Sequence, residues 1–256
     1  MKNKKIVLLG GKGLSTNIVF NALQKAFGVT LVIIEEKERT SIFIKRRIRR
    51  LGLFKVLGQI SFEIFIAKPL KFVSKKRRSE IIIENDLDTT EIPLNVQKNV
   101  KSINSEETIE LLKNINPDLI VVNGTRIISK KVLSRVSCKI INTHAGITPK
   151  YRGVHGMYWA LANHDKENSG VTVHFVDEGI DTGNIIYQRQ VLPTMADNFS
   201  TYPLLQLAEG IEILLQAVNS YFNESIIVEK NYAQSNLWYH PTMWTYIYNR
   251  ITKGVK

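Results

Sequence analysis

The sequence predicts an α/β protein with an open, mostly parallel sheet and helices on both faces. Two observations carry this. The chain opens on a strand–turn–helix–strand unit, "KKIVLLGGKGLSTNIVFNALQKAF" followed by "VTLVIIEE", the pattern of parallel strands joined by a crossover helix. After Pro93 the same alternation returns, with apolar runs of strand length set between segments of helical period. At 256 residues and 44% hydrophobic content, the chain has ample material for a core of this class.

In chain order, the run from Ile6 is the first strand, the glycine turn leads into a helix, and "VTLVIIEE" is the second strand. From about Glu36 to Pro93 the alternation stops. This stretch holds "KRRIRR" (Lys45 to Arg50), an apolar run from Leu51 to Ala67 interrupted by Lys55 and Glu63, and "KKRR" (Lys75 to Arg78). It reads as a basic helical insertion, an amphipathic helix pair with a solvated basic face. "SEETIELLKNIN" is a helix with Ser105 at its start and acids in its first turn. "PDLIVVNG" is a strand, a short helix passes through Val132 and Leu133, and "CKIINTH" is the next strand. "GVHGMYWALANH" is helical. "GVTVHFVDEGIDTGNIIYQRQVL" is two strands joined by an acidic, glycine-rich turn. A helix runs from about Thr201 to Phe222. Residues 1–222 thus form one domain with an insertion at about 36–93, and 223–256 form a short C-terminal appendage. The appendage aromatics, Trp238, Tyr239, Trp244, Tyr246 and Tyr248, are expected to pack a core or a subunit interface.

A formal charge of +12 and a pI near 9.7 favour anionic partners: nucleic acid, phosphorylated ligands, polycarboxylates or an anionic membrane surface. The run Leu51 to Ala67 is too short and too charged to span a bilayer, and peripheral contact with a membrane stays open. Cys138 is the sole cysteine, so no internal disulfide forms, which fits a reducing cytoplasm. The apolar run at Ile6 is too short for a signal peptide. The expected location is cytoplasmic, with the inner membrane face as an open alternative. His155, His164, His174 and His240 lack metal-ligand spacing, and no metal is expected.

Asn142 and His144 end the strand "CKIINTH". Strand residues two apart share a face, so an amide and an imidazole project together at the carboxyl edge where open α/β sheets place ligands. Such a pair can hold a carbonyl oxygen that is gaining charge. The spacing fits equally a strand end that caps its own turn. Asp181, bracketed by glycines in "VDEGIDTGN", can orient an imidazole or bind water, or simply belong to an acidic turn. Gly11-x-Gly13 with Glu35 about 20 residues on is a partial dinucleotide fingerprint lacking its third glycine. It is also a tight turn that can meet an anion at a helix start.

Together, "INTHAGITPKYRG" and "VTVHFVDEGIDTGNIIYQ" resemble the catalytic core of the folate-dependent formyltransferases. That family includes enzymes acting on glycinamide ribonucleotide, on methionyl-tRNA and on nucleotide-linked amino sugars. The resemblance covers about Pro117 to Leu192 well and the opening Rossmann-like unit loosely. It implies 10-formyltetrahydrofolate as cosubstrate and Asn142, His144 and Asp181 as catalytic residues. It implies that Arg126, Ile127 and Ile128 lie along the folate pocket. The backbone of Val176, Asp177, Glu178, Gly179 and Ile180 would wrap the pterin ring. Layout favours a nucleotide-linked amino sugar as the amine acceptor, because about 34 residues follow Phe222 and "GGKGLST" departs from the ribonucleotide enzymes' phosphate loop. The short tail counts against tRNA. Lys150, Arg152, Gly11 and Gly13 are the candidates for the acceptor's phosphates. Formylation of glycinamide ribonucleotide or methionyl-tRNA, and hydrolysis of formyltetrahydrofolate, stay open, as does a homodimer. Two rivals lie outside the family: an NAD(P)-dependent oxidoreductase using Gly11, Gly13 and Glu35, and a non-catalytic basic module that binds membrane or nucleic acid.

Overall fold

The structure is a computed structural model that describes residues 4–228 and 234–256. Its elements are β1 (Ile6–Gly11), α1 (Leu14–Ala26), β2 (Leu31–Glu35), α2 (Thr40–Leu51), α3 (Leu53–Phe62), a π-helical turn (Glu63–Ala67), α4 (Lys68–Val73) and α5 (Lys75–Glu84). They continue as β3 (Gln97–Val100), α6 (Glu106–Ile115), β4 (Leu119–Asn123), α7 (Lys130–Leu133), β5 (Lys139–His144), β6 (Arg152–Gly153) and α8 (Gly156–Ala162). The chain closes with β7 (Gly170–Phe175), β8 (Ile185–Gln190), α9 (Tyr202–Phe222), β9 (Leu237–Trp238) and α10 (Met243–Lys253).

Alternation along the central strands builds two cores. Ile6, Leu8, Leu119 and Val121 face α1 and α9 on one side of the sheet. Val7, Leu9, Ile120 and Val122 face Ile109, Leu112 and Val132 of α6 and α7 on the other. All eight are buried, each contributing about 1.5–3 kcal/mol of transfer free energy. A sheet covered on both faces suits parallel strands. The seven-stranded order is β3-β2-β1-β4-β5-β7-β8, parallel from β3 to β5, with β7 running antiparallel between β5 and β8. This is the Rossmann-like frame expected from the sequence. Ser105 caps α6, its hydroxyl accepting from the Thr108 N–H.

Two regions depart from expectation. The insertion is not a helix pair but α2, then a run of α3, the π turn and α4, then α5. The long apolar stretch lets the helix continue through residue 73, with Pro69 placed just after the π turn, where the hydrogen-bond ladder is already widened. Strand β3 has no counterpart in the expected elements. It is a polar edge strand, and of its four residues only Val100 is buried, so no apolar alternation marks it.

The tail packs against the body. β9 pairs with β6, and α10 lies along α3, with Tyr246 buried against the rings of Phe62, Tyr158 and Phe199. A Cβ on Gly58 would sit 2.2 Å from the Trp244 ring, so the close approach of α10 to α3 requires glycine there.

Candidate active site

The carboxyl ends of β4 and β5 open onto a cavity of about 740 Å³. β5 brings Asn142 to its wall. Antiparallel β7 sets His174 directly opposite Asn142 in register. The loop after β7 then returns Asp181, whose φ of 52° lies in the left-handed region that aspartate tolerates better than most residues. The loop's shape comes from Asp177, whose Oδ1 accepts from the Gly179 N–H at 3.0 Å and the Thr182 hydroxyl at 2.6 Å. Any Cβ on Gly179 would collide with Thr182.

These groups form one connected set. The His174 Nδ1 lies 2.7 Å from the Phe175 carbonyl oxygen, an acceptor, so Nδ1 carries the proton. Its Nε2 then accepts from the Asn142 amide at 3.2 Å, and one amide hydrogen is left for a ligand. Asp181 Oδ1 stands 3.7 Å from the same Nε2, and its Oδ2 stands 3.3 Å from His144 Nδ1. The Gly153 N–H donates to Asp181 Oδ2 at 3.0 Å. Burial alone would raise the Asp181 pKa, but the facing His144 imidazole and the Gly153 N–H outweigh it and hold the carboxyl at about 2.

His144 is buried behind Asp181 and is not part of the cavity wall. Its Nε2 is 2.8 Å from the Tyr151 carbonyl oxygen. Burial pulls its pKa below the ordinary histidine value, against the pull of Asp181 and of that carbonyl. Both ring nitrogens face acceptors, so a neutral ring satisfies one and an imidazolium satisfies both.

The folate-pocket residues divide. Arg126, Ile127 and Ile128 line the cavity, with Ile128 buried and Ile127 exposed. Val176, Asp177, Gly179 and Ile180 line it too. Glu178 turns outward to Lys130, 3.1 Å away. The acceptor candidates are mostly engaged elsewhere. Lys150 is not on the wall, because its ammonium sits 2.6 Å from Asp165. Arg152 donates to the Ile180 carbonyl at 2.8 Å and so ties β6 to the Asp181 loop. Gly11 packs against the Gly124 carbonyl, 2.6 Å from where its Cβ would be, and Gly13 starts α1; neither lines the cavity.

Glu35 is also spent internally. It accepts from the Arg126 N–H at 2.8 Å, the Ile103 N–H at 2.9 Å and the Arg126 Nε at 2.8 Å. The carboxylate that a dinucleotide ribose would need is thus already hydrogen-bonded on both oxygens, which counts against the oxidoreductase reading.

Sequence reasoning missed half of the wall. Phe43, Arg46, Arg47 and Arg50 come from α2, and Leu237 to His240 come from the tail. Arg47 donates to Gln59 at 2.7 Å, whose own amide donates to the His240 carbonyl at 2.8 Å, so insertion and tail hold each other. Arg50 lies over the Tyr239 ring. His174 was weighed only as a metal ligand. The signal that could have found it is the pairing of β5 with β7, since both strands were visible.

Tail and body also share a part-buried imidazole pair, His155 Nε2 and His240 Nδ1, 2.9 Å apart. Burial pushes both below the ordinary value, His240 to about 4 with Arg47 adding to the effect. The unfolded chain therefore binds more protons than the folded one between pH 6.5 and about 4. The stability from keeping His240 neutral is complete above pH 6.5 and drains as pH falls through that window, by about 3 kcal/mol for this residue. Urea midpoints at pH 7 and pH 5 check this, with His240→Gln expected to flatten the difference. Equal midpoints in the parent protein would refute it.

A sequence profile described as formyl transferase matches residues 66–218, more than half of the chain. The chain belongs to the formyl transferase family. Methionyl-tRNA formyltransferase of Finegoldia magna is 47% identical over 87 residues, 34% of this chain and 28% of that protein. The Thermodesulfovibrio yellowstonii methionyl-tRNA formyltransferase is 34% identical over 131 residues, 51% of this chain and 42% of its own. The formyl transferase chain thus spans less than half the length of these curated relatives. Among solved structures, phosphoribosylglycinamide formyltransferase from Streptococcus pneumoniae TIGR4 superposes with a TM-score of 0.55 at 21% identity, covering 86% of this chain and 99% of that one. A sugar N-formyltransferase from Shewanella gives 0.57 at 16% identity, covering 91% and 76%. Both likenesses establish the formyl transferase fold. The family match contains Asn142, His144, His174 and Asp181, whereas the α2 arginines and the tail wall lie outside it.

Proposed function

We propose that this chain transfers a formyl group from 10-formyltetrahydrofolate to a primary amine on a phosphorylated or nucleotide-linked acceptor, an amino sugar first among them. The observation that carries the reading is the set of Asn142, His174 and Asp181 at one cavity wall, with His144 behind Asp181. The cavity fits a reduced folate: Val122, Ile127, Ile128 and Val176 offer apolar surface to a flat ring, and the loop Val176 to Ile180 offers backbone polar groups at its edge.

Bound 10-formyltetrahydrofolate supplies the formyl carbon. The free Asn142 amide hydrogen is placed to meet the formyl oxygen as it gains charge. His174 fixes the direction of that amide through its Nε2. Asp181, ionised at neutral pH, stabilises the positive charge on the acceptor nitrogen as the new C–N bond forms. The proton leaving that nitrogen is received within the imidazole–carboxylate set and returned to the departing folate nitrogen as its bond to the formyl carbon breaks. His144 acts from behind, positioning Asp181, and its ring can gain a proton because Asp181 Oδ2 and the Tyr151 carbonyl oxygen both face it as acceptors.

The acceptor's anionic group falls to α2 rather than to Lys150. Arg46 and Arg50 line the cavity with exposed side chains, Arg46 paired at the surface with Glu38 at 2.9 Å, while Arg47 is held by Gln59. Replacing Arg46 and Arg50 together by Ala is expected to raise the acceptor's KM about tenfold or more, to leave kcat within a few-fold and to weaken the salt dependence of KM. A fall in kcat with an unchanged KM would remove these arginines from acceptor binding.

The direct test is a mass gain of one formyl group on candidate amines, alongside titration with an unreactive reduced folate. Absence of saturable folate binding would sink the reading. Methionyl-tRNA is the second acceptor to try, favoured by the relatives' identity and by the basic insertion. Formylation of charged tRNA, with every amino-sugar nucleotide inert, would replace the sugar and keep the chemistry.

A further inference from the structure

Between Arg39 and Ser79 the chain places thirteen Lys and Arg against a single acid, Glu63, a net +12 that equals the formal charge of the whole chain. The remainder is electrically balanced. The same segment exposes its apolar side chains. Phe54 is 83% exposed, Phe65 65% and Phe72 67%, with Leu57 and Ile64 beside them. At about 100° per residue, Phe54, Leu57, Ile64 and Phe65 share one side of the continuous helix.

A second row lies next to the first. Trp244, Ile247, Tyr248 and Ile251 recur at helical spacing on α10 and are all exposed, while Tyr246 and Asn249 of the same helix are buried. Trp244 covers Gly58 of α3, so the two rows meet along one seam. Among the described residues, Lys45, Arg49, Lys68, Lys71 and Lys76 make no ion pair with a carboxylate. Apolar patches of this extent on a soluble surface mark an interaction site.

We propose that α3, α4 and α10 form a docking face for an anionic lipid bilayer. Charge chooses the occupant. A second copy packed on this face by two-fold symmetry would bring two +12 segments together with one acid on each side, a like-charge contact that opposes association. An anionic leaflet supplies the missing countercharge, at about 1 kcal/mol per lysine or arginine near the surface, and it accepts the aromatic side chains at its interface. No helix among the described residues is long and apolar enough to cross a membrane, so the contact is peripheral. It brings the cavity mouth near the bilayer, because α2, which leads directly into α3, lines the cavity with Phe43, Arg46 and Arg50. The inference rests on the surface alone and not on formyl transfer.

The test is co-sedimentation of the full chain with phosphatidylglycerol–phosphatidylcholine vesicles and with phosphatidylcholine vesicles. Binding is expected to the anionic vesicles alone, weakened by salt and accompanied by a blue shift of tryptophan emission that Trp244→Phe removes. Phe54→Ser with Phe65→Ser should fold, because both side chains are exposed, and should lose vesicle affinity by about tenfold or more. Three results would overturn the proposal. One is no sedimentation with anionic vesicles at low salt. Another is binding that the serine variant leaves unchanged, which is adsorption by charge. The third is a dimer in the ultracentrifuge that the serine variant dissociates, which assigns the face to a second copy.

Discussion

Asn142→Ala is expected to lower turnover by about a hundred- to a thousandfold, the size found when one oxyanion donor is removed. The amide is aimed before substrate arrives, since its nitrogen is held 3.2 Å from His174 Nε2, and alanine offers no replacement donor. Affinity for an unreactive reduced folate should stay within a few-fold, because the apolar wall comes from other segments, β4 with the loop after it and the Asp181 loop. Stability should fall only by the loss of one half-exposed hydrogen bond, about 1 kcal/mol. Turnover by formyl-product mass, together with a melting curve, separates the outcomes. A variant within a few-fold of the parent's turnover would make Asn142 a strand-end cap.

Asp181→Asn is expected to cost about a hundredfold in turnover and to move the pH–rate profile. Asparagine keeps the acceptor for the Gly153 N–H and tolerates the left-handed φ, so the change isolates charge. Without the anion, only the Tyr151 carbonyl still opposes burial at His144, and its pKa falls further. Any limb of the profile that reports this ring therefore shifts to lower pH. A stability term changes as well. The Asp181 pKa is lowered to about 2 from 3.8, so its ionised form stabilises the fold fully above 3.8, and that contribution drains as pH falls through 2. It is worth roughly 2 kcal/mol, and the asparagine variant should lack that acid-induced loss. A profile that stays in place would uncouple Asp181 from His144.

Much of the frame was legible because its signals are local. Val7 and Leu9 against Ile6 and Leu8 show a strand buried on both sides, and Ser105 before two glutamates shows a helix start. β3 was not legible, because an edge strand buries one residue in four and carries no alternation. The helical run through residue 73 was only half legible. Its apolar content was plain, but its continuity depends on where Pro69 falls in the helix.

The site follows the same division. The sequence by itself determined that Asn142 and His144 end a strand at the sheet's carboxyl edge and that Asp181 sits in a glycine-bracketed loop, because residue spacing sets face and turn. Only the tertiary structure decided which imidazole meets the amide. Strand register put His174, 32 positions away, opposite Asn142 and left His144 behind Asp181. It also decided which cations face the cavity. Lys150 is neutralised by Asp165, and Arg152 is tied to Ile180, while α2 sets Arg50, and Arg46 with its partner Glu38, along the cavity rim. A basic residue's charge is written in its sequence, but its partner is chosen by whichever acceptor the packing brings within about 3 Å.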